Sequence, residues 1–232
     1  MRFCAHPGII ILMSIMPRSP LIAPAPGGRR GLPARLPPFA PGMRIGIFGG
    51  SFNPPHEGHR LVGMTALKRL GLDAVWWVVT PGNPLKDTSG LPPLATRMKA
   101  AAKIADHPRV FITAFEAEIG TRYTYDTVSY LRKRCPGVQF VWLMGADNLA
   151  SFHRWQNWRG IADLMPIAVI DRPRSTLRAV NSKAAHFLQP RRVPEHLAPR
   201  LAAAKPPAFV FLYGPRADVS STELRKQNSG RA

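Results

Sequence analysis

His56 and His59 stand three residues apart, behind the run Gly49-Gly50-Ser51-Phe52-Asn53-Pro54-Pro55. Two imidazoles at that spacing can donate hydrogen bonds to one anion. A helix N-terminus adds unpaired backbone N–H groups and the positive end of the helix dipole, and together these would hold phosphate oxygens. A pair of surface histidines in an ordinary turn is the plainer alternative, and the glycine-rich approach argues against it. Zinc is the other competitor. The pair lacks the i, i+4 spacing of a His-Glu-x-x-His site and no third ligand set accompanies it, so no metal site is expected.

The elements that would position this stretch can be read on either side of it. Residues 44–48 (Arg-Ile-Gly-Ile-Phe) form a short apolar run of the kind found in buried parallel strands. Gly49 and Gly50 are expected to allow unusual backbone conformations and close ligand approach, while Pro54 and Pro55 delay the helix. From Gly58 the pattern is helical, with Val62, Ala66 and Leu70 four apart and Gly71 as a stop.

Further strands are expected at 74–80, 110–115, 139–144, 167–170 and 208–213, and helices at 93–105 (carrying Arg97, Lys99 and Lys103), 124–135, near 195–203 and from Ser220. Residues 172–207 read as basic, proline-punctuated and weakly periodic. Apolar strands alternating with helices imply an α/β fold, a doubly wound parallel sheet of Rossmann-like type. Such sheets bind ligands outside the carboxyl ends of their strands. That rule gathers His56, Lys86, Tyr123, Asp147 and Ser220 at one edge.

Composition sets wider bounds. A chain of 232 residues, 45% hydrophobic, can bury the core of one α/β domain. Its net charge of +19 suits nucleic acid, an anionic membrane or a polyanionic small substrate, and does not choose among them. Two cysteines, Cys4 and Cys135, make no disulfide framework and fit a reducing cytoplasm. Residues 1–42 are rich in Pro, Gly and Arg and contain neither Asp nor Glu. They are expected to be a disordered arm or an over-extended gene start, with the α/β domain over 43–232. The apolar run at 8–16 is too short to span a membrane, and no clean cleavage site follows it, so neither a membrane nor export is expected.

The run from Gly49 to His59 resembles the signature of the nucleotidyltransferase superfamily with a His-x-Gly-His motif, and its Gly-Gly-Ser-Phe-Asn-Pro opening is most similar to the nicotinate-mononucleotide adenylyltransferases. The resemblance implies that Gly49, Gly50, Ser51, Phe52, His56 and His59 meet ATP. Asn53 falls to the acceptor. Ser220-Ser221-Thr222-Glu223-Leu224-Arg225 resembles the Ser-Ser-Thr-x-Ile-Arg element of the same superfamily, with Leu224 replacing isoleucine, and it assigns Ser221, Thr222 and Arg225 to ATP phosphates. Read without the resemblance, Ser220 and Glu223 are a capping box.

Lys86 matches a family lysine facing the phosphates, although Leu85 stands where histidine is common. Arg122-Tyr123-Thr124, Gly145-Ala146-Asp147 and Phe152-x-x-Trp155 resemble the nicotinate-specific segments. They give Thr124 and Gln156 to the pyridine carboxylate, Trp155 to the ring and Asp147 to the nucleotide. An indole face stacking on an electron-poor pyridinium is physically reasonable. Trp158 reads as a core residue.

The implied reaction is attack of the 5′-phosphate of nicotinate mononucleotide on the α-phosphorus of ATP, with Mg²⁺ bridging the phosphates and pyrophosphate leaving. His56, His59, Lys86 and Arg225 would act by positioning and charge stabilisation. Rival acceptors are nicotinamide mononucleotide and phosphopantetheine. A basic nucleic-acid-binding protein is the disfavoured rival of another class. The expected partners are ATP and nicotinate mononucleotide, and the sequence allows a homo-oligomer.

Overall fold

The computed structural model describes residues 34–82, 88–171 and 176–214. Within them, six parallel strands form one sheet: β1 (Arg44–Gly50), β2 (Ala74–Val79), β3 (Val110–Thr113), β4 (Gln139–Gly145), β5 (Ile167–Ile170) and β6 (Phe209–Leu212). Their order is β3-β2-β1-β4-β5-β6, the doubly wound α/β arrangement expected from the alternating pattern. Strand order reverses between β1 and β4, where Phe48 lies opposite Leu143. A crevice at the carboxyl end of that pair is the natural ligand position in such sheets.

Helices cover both faces because side chains alternate along each strand. Ile45, Ile47, Trp76, Val78, Trp142 and Met144 point into one core. Helices α4 (Thr124–Arg134), α5 (Ala146–Ser151), α6 (Trp158–Leu164), α7 (Thr176–Val180) and α8 (Lys183–Leu188) supply much of the other side of that core. Phe48, Val75, Trp77, Val79 and Leu143 enter the opposite core, closed by α1 (Glu57–Arg69) and α2 (Leu94–Ala105). A short α3 (Phe115–Glu118) follows β3. Gly71, at φ +60, occupies the left-handed position that ends α1.

Several expectations need correction. The strand expected over 110–115 stops at Thr113, whose Oγ1 accepts the Phe115 N–H at 3.4 Å and turns the chain into α3. The weakly periodic basic segment contains α7 and α8, and Ser182 caps the latter by accepting the Ala185 N–H at 3.2 Å. The helix near 195–203 is a 3-10 helix, since Pro199 inside it has no N–H for an α-helical bond. Residues 34–42 lie against the domain. Ala34 is buried, the Arg35 N–H donates to Glu118 Oε2 at 2.7 Å, and Phe39 meets Trp76 edge-on.

Candidate active site

β1 runs two residues further than the apolar pattern required, so Gly49 and Gly50 are extended strand residues pairing with Val78 and Val79. Neither adopts a left-handed conformation. Their missing side chains serve packing instead. A Cβ on Gly49 would lie 2.9 Å from Trp142 Cη2, and one on Gly50 would lie 3.3 Å from Phe52 Cε2.

The unusual backbone belongs to Phe52, at φ +46, a region that costs a non-glycine residue about 1–3 kcal/mol. Burial of its ring offsets that cost. Phe52 stacks on Trp77 with centroids 5.0 Å apart and planes 9° apart, and meets Phe48 edge-on at 5.6 Å. The Asn53–Pro54 peptide is cis.

This aromatic bed carries the histidines. His56 is the N-cap of α1 and only 4% exposed. Its Nδ1 accepts the Gly58 N–H at 3.1 Å, while His59 Nδ1 accepts the His56 N–H at 3.2 Å. The two imidazoles thus form a reciprocal capping box, a role more often filled by Ser or Thr with Glu. Because each Nδ1 is an acceptor, the neutral ring carries its proton on Nε2, on the edge away from the cap. The rings lie 3.9 Å apart, and His59 rests 5.0 Å from Phe52.

One consequence differs from expectation. The Gly58 N–H is taken by His56 Nδ1 and the His59 N–H by the His56 carbonyl, so two N–H groups of the first turn are used internally. Any hydrogen bond these two rings give an anion would therefore come from Nε2–H, with the helix dipole beside it.

Arg97 was legible only as one of three cations on a helix. It is 3% exposed, and its Nε donates to the Pro92 carbonyl at 2.9 Å while one terminal nitrogen reaches the Ser51 carbonyl at 2.9 Å and the Thr80 carbonyl at 2.8 Å. Burial lowers its pKa from the ordinary guanidinium value. Among the described residues no carboxylate pairs with it. A signal existed: Arg97, Ala101 and Ala105 share one i, i+4 stripe, and all three are buried.

On the other face of the sheet, β4 ends at Gly145 and α5 begins, with Asp147 exposed in its first turn. Thr124 is the first residue of α4 and half-buried. Trp155 follows a 3-10 turn over Phe152–Arg154. It packs edge-on against Phe152 at 5.3 Å and Trp142 at 6.3 Å, while Gln156 is exposed. Trp142 thus touches both the Gly49 backbone and Trp155.

The segments that carry Thr124 and Trp155 approach each other at Gly160. A Cβ there would lie 2.7 Å from Tyr125 Cε2 and 2.6 Å from Asn157 Nδ2, so the start of α4 sits directly on the start of α6. An open cavity of about 550 Å³ adjoins this segment, bounded by residues 119–123, Asp126 and Tyr130. Trp158 packs on Phe152 and Phe187, in keeping with its reading as a core residue.

Lys86, Ser220, Ser221, Thr222, Glu223 and Arg225 lie outside the described residues. Among the described residues no group of three or more His, Cys, Asp or Glu is placed to hold a metal ion, and no helix is long and apolar enough to cross a membrane.

The carboxyl ends of β1 and β4 thus lead into an imidazole pair at a helix N-terminus on one face of the sheet and into an indole with an exposed neighbouring amide on the other. Phosphate can be held by the first and a flat ring by the second. Residues 47–227 match the cytidylyltransferase-like family. A Brucella abortus protein named "Probable nicotinate-nucleotide adenylyltransferase" is 55% identical over 184 residues, covering 79% of this chain and 95% of that protein. Proteins of the same name from Bradyrhizobium sp. (strain ORS 278) and Rhizobium meliloti are 58% identical over 183 residues and 54% identical over 188. These cover 79% and 81% of this chain, and 95% and 100% of theirs.

Among solved structures, Plasmodium falciparum nicotinic acid mononucleotide adenylyltransferase complexed with NaAD superposes with a TM-score of 0.59 at 18% identity. It covers 79% of this chain and 83% of that one, a likeness of fold. Identity above half over most of both chains, together with the matched domain, establishes that the chain belongs to the nicotinate-nucleotide adenylyltransferase family.

Proposed function

We propose that the chain transfers the adenylyl group of ATP to the 5′-phosphate of nicotinate mononucleotide, giving nicotinate adenine dinucleotide and pyrophosphate, a step of NAD biosynthesis. The observation that carries the chemistry is the imidazole capping box at the carboxyl end of β1, which fixes two Nε2–H donors beside the switch point. Family membership carries the choice of acceptor.

The attacking phosphate oxygen is already anionic at neutral pH, so the protein needs no general base and no covalent intermediate. Catalysis is then in-line positioning plus donors aimed at charge developing on the α-phosphate and the leaving pyrophosphate. His56 and His59 donate from Nε2–H to phosphate oxygens. Gly49, Gly50, Ser51 and Phe52 line the nucleotide, and Asp147 contacts it from the start of α5. Lys86, Ser221, Thr222 and Arg225 meet the β- and γ-phosphates. Asn53 reaches the acceptor, Trp155 stacks on its pyridine ring, and Thr124 and Gln156 hold the ring carboxylate.

Mg²⁺ enters with ATP. Both Nδ1 atoms are occupied by cap bonds and both Nε2 atoms carry protons, so the pair suits phosphate oxygens rather than a cation, and a hard cation prefers phosphate and water oxygens. When bound, it neutralises charge on the pyrophosphate. The working compartment in this reading is the cytoplasm.

The test is pyrophosphate release from ATP and Mg²⁺ with nicotinate mononucleotide, nicotinamide mononucleotide or phosphopantetheine as acceptor. Strong preference for the first supports the reading. Preference for another acceptor removes the assigned pocket, and no release with any of them removes the reaction.

A further inference from the structure

Between the loop before the histidines and the start of α4 runs a series of buried polar groups to which the proposed reaction assigns no part. It begins at Arg97, whose guanidinium holds the carbonyls of Ser51, in the loop before the histidines, and Thr80, at the end of β2. The Thr80 hydroxyl donates to the Gly82 carbonyl at 3.2 Å, and the Thr80 side chain lies close enough to Glu116 to act on its carboxyl group. Glu116 is 4% exposed, and its Oε1 accepts from Thr127 Oγ1 at 2.7 Å. The same Thr127 hydroxyl lies 3.2 Å from the Tyr123 carbonyl oxygen, at the N-cap of α4. The Glu116 carbonyl also accepts the Thr121 N–H at 3.0 Å. Glu116 therefore holds the segment before α4 through its backbone carbonyl and the first turn of α4 through its side chain.

We propose that Arg97, Thr80, Glu116 and Thr127 form one positioning chain that sets the acceptor segment Tyr123-Thr124 in register with the loop at Ser51. The chain deepens the functional reading and rests on it. None of its members touches substrate. The argument is one of burial and geometry. A guanidinium held by three carbonyls and a carboxylate buried beside two hydroxyls are costly groups to place in a core, and each is tolerated only where its partners are fixed. Fixed partners are what an in-line displacement between two bound phosphates requires, since small misplacement costs rate steeply. Each end of the chain lands on a carbonyl of a segment that the reaction assigns to a different substrate.

The chain's direction makes a specific claim. Loosening Glu116 or Thr127 frees the acceptor segment and leaves the nucleotide side, held by Arg97 and the aromatic bed, as it was. Glu116→Ala in the full chain is expected to raise KM for nicotinate mononucleotide about tenfold while KM for ATP stays within about twofold. Glu116→Gln, which keeps an acceptor for Thr127, restores the parent value. Thr127→Val shows the same selective rise, Thr127→Ser reverses it, and the Glu116→Ala/Thr127→Val double variant is no worse than the poorer single, as members of one chain must be.

The proposal is overturned by unchanged KM values, by equal change in both, or by single effects that multiply in the double variant. If Glu116→Ala does not fold, the Thr127→Val and Thr127→Ser pair carries the test alone. Absence of transfer by the parent chain would instead count against the functional reading, so the two failures are distinguishable.

Discussion

The two halves of the proposed site are built by different means. On the proposed nucleotide side, consecutive residues do nearly everything: Gly49 to His59 end a strand, turn, cap a helix and present two imidazoles on a bed of Phe48, Phe52 and Trp77. On the proposed acceptor side, Thr124 and the adjacent pair Trp155 and Gln156 come from two segments of the chain, which approach each other where Gly160 lets Tyr125 settle on α6. Local chemistry fixes the first side and tertiary packing the second. Turnover should therefore follow the first and acceptor choice the second.

The largest expected effect separates stability from catalysis within the histidine box. His56→Ala loses both the cap and a phosphate donor, with a fall of about 10²–10³-fold in kcat and about 1 kcal/mol of stability. His56→Asn keeps a capping oxygen, so thermal unfolding should return to near the parent while turnover stays low. If activity recovered with stability, His56 would be a cap and nothing more.

Gly49→Ala comes next. The added methyl meets the Trp142 ring, and overpacking of this kind costs about 1–3 kcal/mol, read as a lower midpoint in urea. Trp142 also supports Trp155, so KM for the acceptor should rise in the same variant. A stability loss with both KM values unchanged would uncouple the two sides.

Smaller effects follow from ionisation. Burial raises the Glu116 pKa above its ordinary 4.5, opposed by hydrogen bonds from Thr127 and Thr80. Between the two pKa values the folded protein holds a proton that the unfolded chain has lost, so this group's contribution to stability falls as pH rises through that window. Glu116→Gln cannot ionise. Its melting temperature relative to the parent should be more favourable at pH 8 than at pH 4.5, and a difference independent of pH would refute the raised value.

Burial likewise pushes the Cys135 thiol up to about 11, against the pull of Arg134. Peptide mapping after alkylation at pH 8 should find Cys135 unmodified in the folded protein.

The same division explains what could be read from the chain. The six strands were legible because each is a short apolar run, and the histidine site because its residues are adjacent and each has a local job. Phe52's backbone and the packing role of Gly49 were not, since both are dictated by Trp77 and Trp142 from other strands. Arg97 and Glu116 read as an ordinary helix cation and the neighbour of a strand end. Their burial arises only when α2 and α3 close over β2, which no local pattern encodes.

The most direct test of this account crosses the two sides in one assay of pyrophosphate release. His59→Ala and Trp155→Ala would each be compared with the parent, using nicotinate and nicotinamide mononucleotides as acceptors. The account predicts that His59→Ala lowers kcat about 10²–10³-fold while the preference for the nicotinate acceptor persists. Trp155→Ala should raise the acceptor's KM and narrow that preference with kcat largely retained. Loss of preference in His59→Ala, or loss of kcat alone in Trp155→Ala, would contradict it.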